Sequence, residues 1–236
     1  MSIQHYRMMI NGHRCEIDPA RTIDVVSPLN GAVIGIVSDA SADQVADSIG
    51  TAQNAFDQEW RRTSGSERAR LMHGLADLID QNAEELAQLE TSDNGKLLRE
   101  TRVQARFAAR NYRVFAGLAD KIFGHAIPLD SFDTLDYTVR EPVGVAALIT
   151  AWNSPMQLLA NKLAPALAAG NCVVIKPSEL APLTTLRLAD LVAEAGFPHG
   201  VINIITGGTS SRAALKPASR SQPIPDLAAS VLPAVL

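Results

Sequence analysis

Cysteine is scarce in this chain, two in 236 residues, and Cys15 and Cys172 lie far apart with no C-x-x-C around either. That leaves no disulfide framework and no thiolate zinc spacing, which suits a reducing cytosol. The five histidines are scattered, with no pair at the helical spacing of a metal site. Positive charge is not concentrated either. Lys and Arg number 21 against 25 Asp and Glu, for a net charge of −4. Phosphate binding needs dense positive charge, so no nucleic-acid partner is expected. The longest apolar stretch, residues 143–151, is much too short to span a bilayer. Residues 1–14 are polar and lack the apolar core of a secretory signal. We therefore expect a soluble, cytoplasmic protein with no membrane partner. Its length allows one large domain or two smaller ones, each with a core.

What is present is a change of pattern along the chain. Residues 7–37 read as short strands joined by turns. Asn11-Gly12 is a two-residue hairpin signal, and Ser27-Pro28-Leu29-Asn30-Gly31 precedes a strand over 33–37. A helical section follows. Ser41-Ala42-Asp43-Gln44 has capping-box spacing, with Val45, Ile49, Ala52 and Phe56 on one face. Ser66 opens a second helix with Ala69, Met72, Leu75 and Ile79 inward. Asn82 can cap a third that Gly95 ends. A long helix spans about 98–123, its inner face carrying Ala108, Tyr112, Phe115, Leu118 and Ile122. These stripes are core packing and carry no chemistry. Residues 134–140 then alternate polar and apolar, as in a half-buried or interface strand.

The informative part begins at Val143. Apolar runs at 143–149, 172–175 and 201–205 alternate with helices over 155–169 and 183–195, the second stopped by Gly196 and Pro198. Apolar runs alternating with helices mean buried parallel strands with crossover connections. The fold class is α/β: a partial doubly wound, Rossmann-like parallel sheet preceded by short hairpins and a helical section. Its βαβαβ half-unit is the kind that holds a mononucleotide. Residues 209–236, with four prolines and no period, read as an irregular tail.

Ligands of such sheets collect at the carboxyl ends of the strands. Here those ends carry Thr150-Ala151-Trp152-Asn153, then Lys176-Pro177-Ser178-Glu179, then Thr206-Gly207-Gly208. No G-x-G-x-x-G is present. Asn153 is either a helix N-cap or, if Ser154-Pro155-Met156-Gln157 serves as the capping box, an amide free to donate to a developing oxyanion. Trp152 reads locally as a core aromatic. Lys176 and Glu179 are either solvated loop charges or hydrogen-bonding groups for ribose and phosphate oxygens. Gly207-Gly208 is a turn, open to close approach by a phosphate. Cys172 begins its strand, about 13 Å from Lys176 at strand rise, and reads as a buried inert thiol. Cys15 has no activating base nearby in sequence.

The stretch Val143-Gly144-Val145-Ala146-Ala147-Leu148-Ile149-Thr150-Ala151-Trp152-Asn153 resembles the "GV…PWN" segment of the aldehyde dehydrogenase superfamily, with Ala151 where Pro is usual. Residues 162–171, Lys176-Pro177-Ser178-Glu179, Asp93-Asn94-Gly95-Lys96 with the preceding Leu89-Glu90-Thr91, and Arg140-Glu141-Pro142-Val143-Gly144 are similar to further blocks of that family. They occur in order from about residue 8 to residue 207. The resemblance implies oxidation of an aldehyde to a carboxylic acid with NAD(P)+. It implies that Asn153 is the oxyanion-hole amide, and that Lys176 and Glu179 contact the adenine ribose. Ile149, Thr150 and Trp152 would line the cofactor cleft, with Gly207 near the adenosine and pyrophosphate. Glu179 leans the cofactor toward NAD, with NADP left open, because a carboxylate repels a 2′-phosphate. On this view residues 1–132 are the hairpins and helices of the cofactor domain. Residues 133–141 form an oligomerisation-type strand, 142–208 the βαβαβ unit, and 209–236 a tail outside the family pattern.

The family's nucleophilic cysteine and water-activating glutamate lie in blocks resembling "GQ-C" and "ELGG", and neither occurs here; nor does "FTGS". We therefore expect a chain truncated before its catalytic cysteine and glutamate and inactive alone, its tail the product of a frameshift or premature stop. One alternative is a half-enzyme complemented in trans by another chain, or a homo-oligomer, joined through residues 134–140. Another is a non-catalytic nucleotide-binding or scaffold module with weak or undetectable NAD binding. In each case the first strand of the sheet would be an unprotected edge.

Overall fold

A computed structural model describes residues 3–208 together with Ser211, Ala214 and Leu215. The chain opens with β1 (His5–Tyr6), β2 (Met9–Ile10) and β3 (His13–Arg14). Asn11 and Gly12 take φ of 53° and 73°, the left-handed pair a two-residue turn needs, so Ile10 pairs with His13 as the Asn-Gly signal implies. A Cβ on Gly12 would stand 2.6 Å from the His199 ring, so space and backbone both require glycine there. β4 (Thr22–Val26) and β5 (Val33–Ser38) are antiparallel, and β1 joins β5 in parallel to complete a three-stranded sheet.

The helical section is α1 (Ala42–Gln58), a 3-10 turn at Trp60–Arg62, α2 (Gly65–Gln81), α3 (Ala83–Asn94) and α4 (Leu98–Ala116). The capping box at Ser41 and Gln44 forms with both hydrogen bonds. Two helix boundaries differ from the sequence reading. α2 starts earlier, because Ser64 rather than Ser66 stands three residues before Glu67 and accepts its N–H at 3.2 Å. α4 stops at Ala116, not near Phe123. Residues 119 and 120 are instead pressed against the start of α2, where a Cβ on Gly65 would lie 2.5 Å from the Ala119 carbonyl. The Arg68 guanidinium takes that same carbonyl at 3.3 Å. Asn82 precedes α3 but does not cap it, since its amide donates to the Leu78 carbonyl at 2.8 Å. Gly95 does end α3, at φ 76°.

Next comes a small antiparallel pair, β6 (Ala126–Ile127) with β7 (Asp136–Tyr137), exposed throughout. The interface strand expected over 134–140 is thus only two residues long. The remaining elements alternate: β8 (Val145–Ile149), α5 (Pro155–Ala168), β9 (Cys172–Lys176), α6 (Leu183–Glu194) and β10 (Ile202–Ile204). β8, β9 and β10 are parallel neighbours, as the alternation of strands and helices requires. The hairpin β2–β3 adds to the far side, antiparallel to β10, giving the order β3-β2-β10-β9-β8. Asn203 secures it, accepting the Asn11 N–H at 2.9 Å.

All five residues of β9 are buried, which requires cover on both faces of the sheet. α1 lies against β8, β9 and β10. α5 and α6 form the second cover, with α2, α3 and α4 packed behind them. β8 alternates between buried and exposed, and no strand pairs with its outer side among the described residues. The first strand is the open edge that the sequence implied. The irregular tail expected over 209–236 lies outside the described residues apart from Ser211, Ala214 and Leu215, of which Ser211 and Leu215 are buried against the body. No helix among the described residues is long and apolar enough to cross a membrane.

Candidate functional site

Parallel register gathers the expected residues of two strands. Ile149 is the partner of Lys176, and the Thr150 N–H extends the ladder to the Lys176 carbonyl at 3.2 Å. Ile149 and Trp152 are 40% and 53% exposed. Trp152 is therefore not the core aromatic its local sequence suggested: it follows the strand end, where the chain has left the covered part of the sheet. Thr150 is buried, and its Oγ1 has no hydrogen-bond partner among the described residues. Such an orphaned hydroxyl at a strand terminus is unusual without a ligand or water to satisfy it.

Lys176 is not a solvated loop charge. It is 2% exposed, its Nζ donates to the Pro177 carbonyl at 3.1 Å, and it stands 3.5 Å from the half-exposed Glu179 carboxylate. Burying an ammonium is costly unless it is paired, and here the pairing is with the other residue singled out at this strand end.

Gly207 is placed differently. The Ala40 N–H donates to the Thr206 carbonyl at 3.0 Å, and Thr206 Oγ1 to the Ser38 carbonyl at 2.7 Å. The turn therefore lies against the β5–α1 connection. A Cβ on Gly207 would run into Ser211 Oγ and come within 2.7 Å of Asp39. The Gly208 N–H is already taken by Asp39, at 3.2 Å. The need for glycine here comes from the chain's own packing.

Asn153 is exposed, at the turn into α5. The capping box expected from Ser154 does not form: Ser154 makes no side-chain cap, and its φ and ψ of −158° and 62° are not those of a normal cap residue. Lys96 accounts for this, donating to Ser154 Oγ at 2.7 Å, while the hydroxyl donates to the Asn153 carbonyl at 2.7 Å. The Met156 N–H is satisfied by Glu90 instead, at 3.2 Å.

Glu90 and Asp93 were not singled out from sequence as site residues. Both are fully buried. Burial pushes the Glu90 carboxyl up to about 7, against the opposing pull of the Met156 N–H and the Lys96 charge. Burial likewise pushes Asp93 up to about 8, opposed by the Leu183 N–H and reinforced by Glu90. A signal was available. Leu86, Glu90 and Asp93 fall at helical spacing, so two carboxyls continue an apolar stripe.

Neither cysteine is an activated thiol. Cys172 is wholly buried, and burial, helped by Asp57, pushes its thiol up to about 12. Burial also raises the half-buried Cys15. Among the described residues no group of three His, Cys, Asp or Glu side chains could hold a metal.

Residues 16–222 match the sequence profile of the aldehyde dehydrogenase family. The match continues past Gly207, where the sequence blocks quoted above end. A (Z)-2-((N-methylformamido)methylene)-5-hydroxybutyrolactone dehydrogenase of Acinetobacter baylyi is 47% identical over 206 residues, covering 87% of this chain and 42% of the relative. Mitochondrial 10-formyltetrahydrofolate dehydrogenase of Homo sapiens is 42% identical, over 86% of this chain and 22% of its own length. The crystal structure of an NAD-dependent aldehyde dehydrogenase from Sinorhizobium meliloti superposes with a TM-score of 0.87 at 39% identity, covering 91% of this chain and 43% of that one. A betaine aldehyde dehydrogenase double mutant from Staphylococcus aureus, solved in complex with NAD+, superposes with a TM-score of 0.84 at 40% identity, over 87% of this chain and 42% of that one. The chain spans about two fifths of the length of most of these relatives, and less of the human protein.

Proposed function

The chain belongs to the aldehyde dehydrogenase family, and from that premise we propose that its strand ends hold NAD(P) and that Asn153 supplies an oxyanion-stabilising amide for aldehyde oxidation. The observation that carries this reading is the meeting of Lys176 and Glu179 at the carboxyl end of β9, beside the end of β8. A ribose diol offers both donors and acceptors, which match an ammonium and a carboxylate. Ile149 and Trp152 add exposed apolar surface beside them. Gly207 contributes by keeping the third strand's turn close to the body. Bound there, NAD(P)+ supplies the hydride acceptor. The Glu179 carboxylate favours NAD over NADP, since it would repel a 2′-phosphate.

Asn153 acts by hydrogen bonding. Its exposed amide can donate to an oxygen that gains negative charge as a nucleophile adds to an aldehyde. The nucleophile itself has no candidate in this chain. A thiol pushed up to about 12 and wholly buried is neither ionised nor reachable. The 236-residue chain is thus a cofactor-side half that does not oxidise aldehydes unaided. The cysteine and glutamate come from further polypeptide, continuous with it or separate. The outer edge of β8, unpaired among the described residues, favours this reading, since it is open to additional sheet.

Binding by this half alone is weak, because much of the cleft wall is missing. The test is NMR with NAD+ titrated into the isotope-labelled chain. Shifts concentrated at Ile149, Thr150, Lys176 and Glu179, and lost in K176M, are expected. Shifts confined elsewhere, or none at saturating nucleotide, would overturn the assignment.

A further inference from the structure

The turn that presents Asn153 is held from behind by α3 and the turn after it. α3 ends at Gly95, whose φ of 76° reverses the chain and whose missing Cβ leaves room for Pro28, 2.8 Å from where it would stand. That reversal brings Lys96 against the start of α5. Asn94 fixes the reversal by accepting the Lys96 N–H at 3.0 Å, and its side-chain amide reaches the Trp152 carbonyl at 3.5 Å. Lys96 Nζ holds Ser154 Oγ, and Ser154 holds the Asn153 carbonyl. Gln104 joins the two sides. With its amide turned so that both ends are satisfied, it donates to Glu90 Oε1 at 2.8 Å and accepts from Lys96 Nζ at 2.5 Å.

This arrangement is electrostatically odd for a helix start. The amino end of a helix favours negative charge, and a serine there ordinarily caps it. Here the serine faces an ammonium, and a carboxylate on another helix takes over the capping. The local cap has been given up in favour of a fixed bend at 152–154, with successive carbonyls tied back toward α3 and both Trp152 and Asn153 left exposed.

We propose that Lys96 is a positioning residue: through Ser154 it fixes the orientation of the Asn153 amide. This rests on the reading of Asn153 as the oxyanion donor, and extends it to a residue that touches neither cofactor nor substrate. A lysine so placed sets where the amide stands before any ligand arrives, which is the preorganisation such a donor needs.

The test is NMR of the labelled chain without nucleotide, comparing wild type with K96M, K96R and S154A. In wild type the Asn153 side-chain amide is expected to show nitrogen relaxation typical of restricted motion and shifts displaced from those of a free asparagine amide. In K96M and S154A those shifts move to the free-amide values and the motion approaches that of a free surface amide, while Val173 and Val174 in β9 keep their shifts. K96R, which retains a donor, restores the wild-type signature at least in part. S154A leaves Lys96 in place and keeps the test valid should K96M fold poorly. An Asn153 amide unchanged in S154A, or changes spread equally through β9, would overturn the proposal. NAD+ shifts at the strand ends together with an unaltered Asn153 would sink this inference alone. A Lys96-dependent Asn153 with no NAD+ shifts would uphold the grip and sink the cofactor reading.

Discussion

Glu90 and Asp93 stand one turn apart on α3, and each carboxyl closes the first turn of a different helix. Glu90 Oε2 accepts the Met156 N–H of α5 at 3.2 Å, and Asp93 Oδ2 accepts the Leu183 N–H of α6 at 2.8 Å. α5 and α6 are the two crossover helices of the parallel sheet. One face of α3 thus ties both of them to the helical section and sets where each begins relative to its strand.

Removing either carboxyl should destabilise the chain. Loss of a helix cap costs about 1 kcal/mol, and a buried N–H left unpaired raises that to roughly 3 kcal/mol. Urea unfolding of E90A and D93A is expected to show losses in that range. Losses near zero would mean the two contacts are incidental.

Stability should also depend on pH, with a definite sign. Both carboxyls are raised in the folded state, to about 7 and about 8, from 4.5 and 3.8. Between those values the native chain binds more protons than the unfolded one, so stability falls as pH rises. The contribution is complete below the unfolded values and is lost as pH passes the folded ones. The urea midpoint at about pH 9 is therefore expected to lie below that at about pH 5, and the E90Q/D93N double variant should flatten the difference. A midpoint that rises across this window would contradict the burial argument.

Cys172 should resist a thiol-reactive dye in the folded chain at neutral pH and react only after urea is added. Cys15, half-buried and also raised, should react slowly in the native state. Rapid native labelling at Cys172, located by peptide mapping, would reopen the question of a nucleophile.

The outer edge of β8 should promote self-association. Ala147 is exposed on that strand, and a lysine there adds charge to an unpaired edge. A147K is expected to reduce concentration-dependent association in sedimentation with little change in the unfolding midpoint. Association unchanged in A147K would place the sticky surface elsewhere.

Local signals in the sequence were reliable where the neighbours that decide them are also local. The Asn11-Gly12 turn, the Ser41–Gln44 box, the Gly95 stop and the order of β8, α5, β9, α6 and β10 all follow from residues a few positions apart. Departures arose where a distant group intervened. Ser154 has the right sequence for a cap, but Lys96, fifty-eight positions earlier, takes its oxygen. α4 ends early because residues 119 and 120 meet Gly65 and Arg68. Local sequence alone did not reveal that β2 and β3 would extend the main sheet, since Asn203 is what ties them there. That Ile149, Lys176 and Glu179 would stand at one end of the sheet was readable because parallel strands put their carboxyl ends together. The burial of Lys176 was not, because it depends on what packs over β9.

On the proposed function, this chain carries a nucleotide-binding face and an oxyanion amide without a nucleophile. The most direct measurement is NADH formation by the purified 236-residue chain, supplied with NAD+ and a panel of aliphatic and aromatic aldehydes. The expected result is no NADH above the protein-free background for any of them. Aldehyde-dependent NADH that rises with protein concentration and disappears in C172S or C15S would contradict the claim, because it would require one of these two thiols to act as the attacking group.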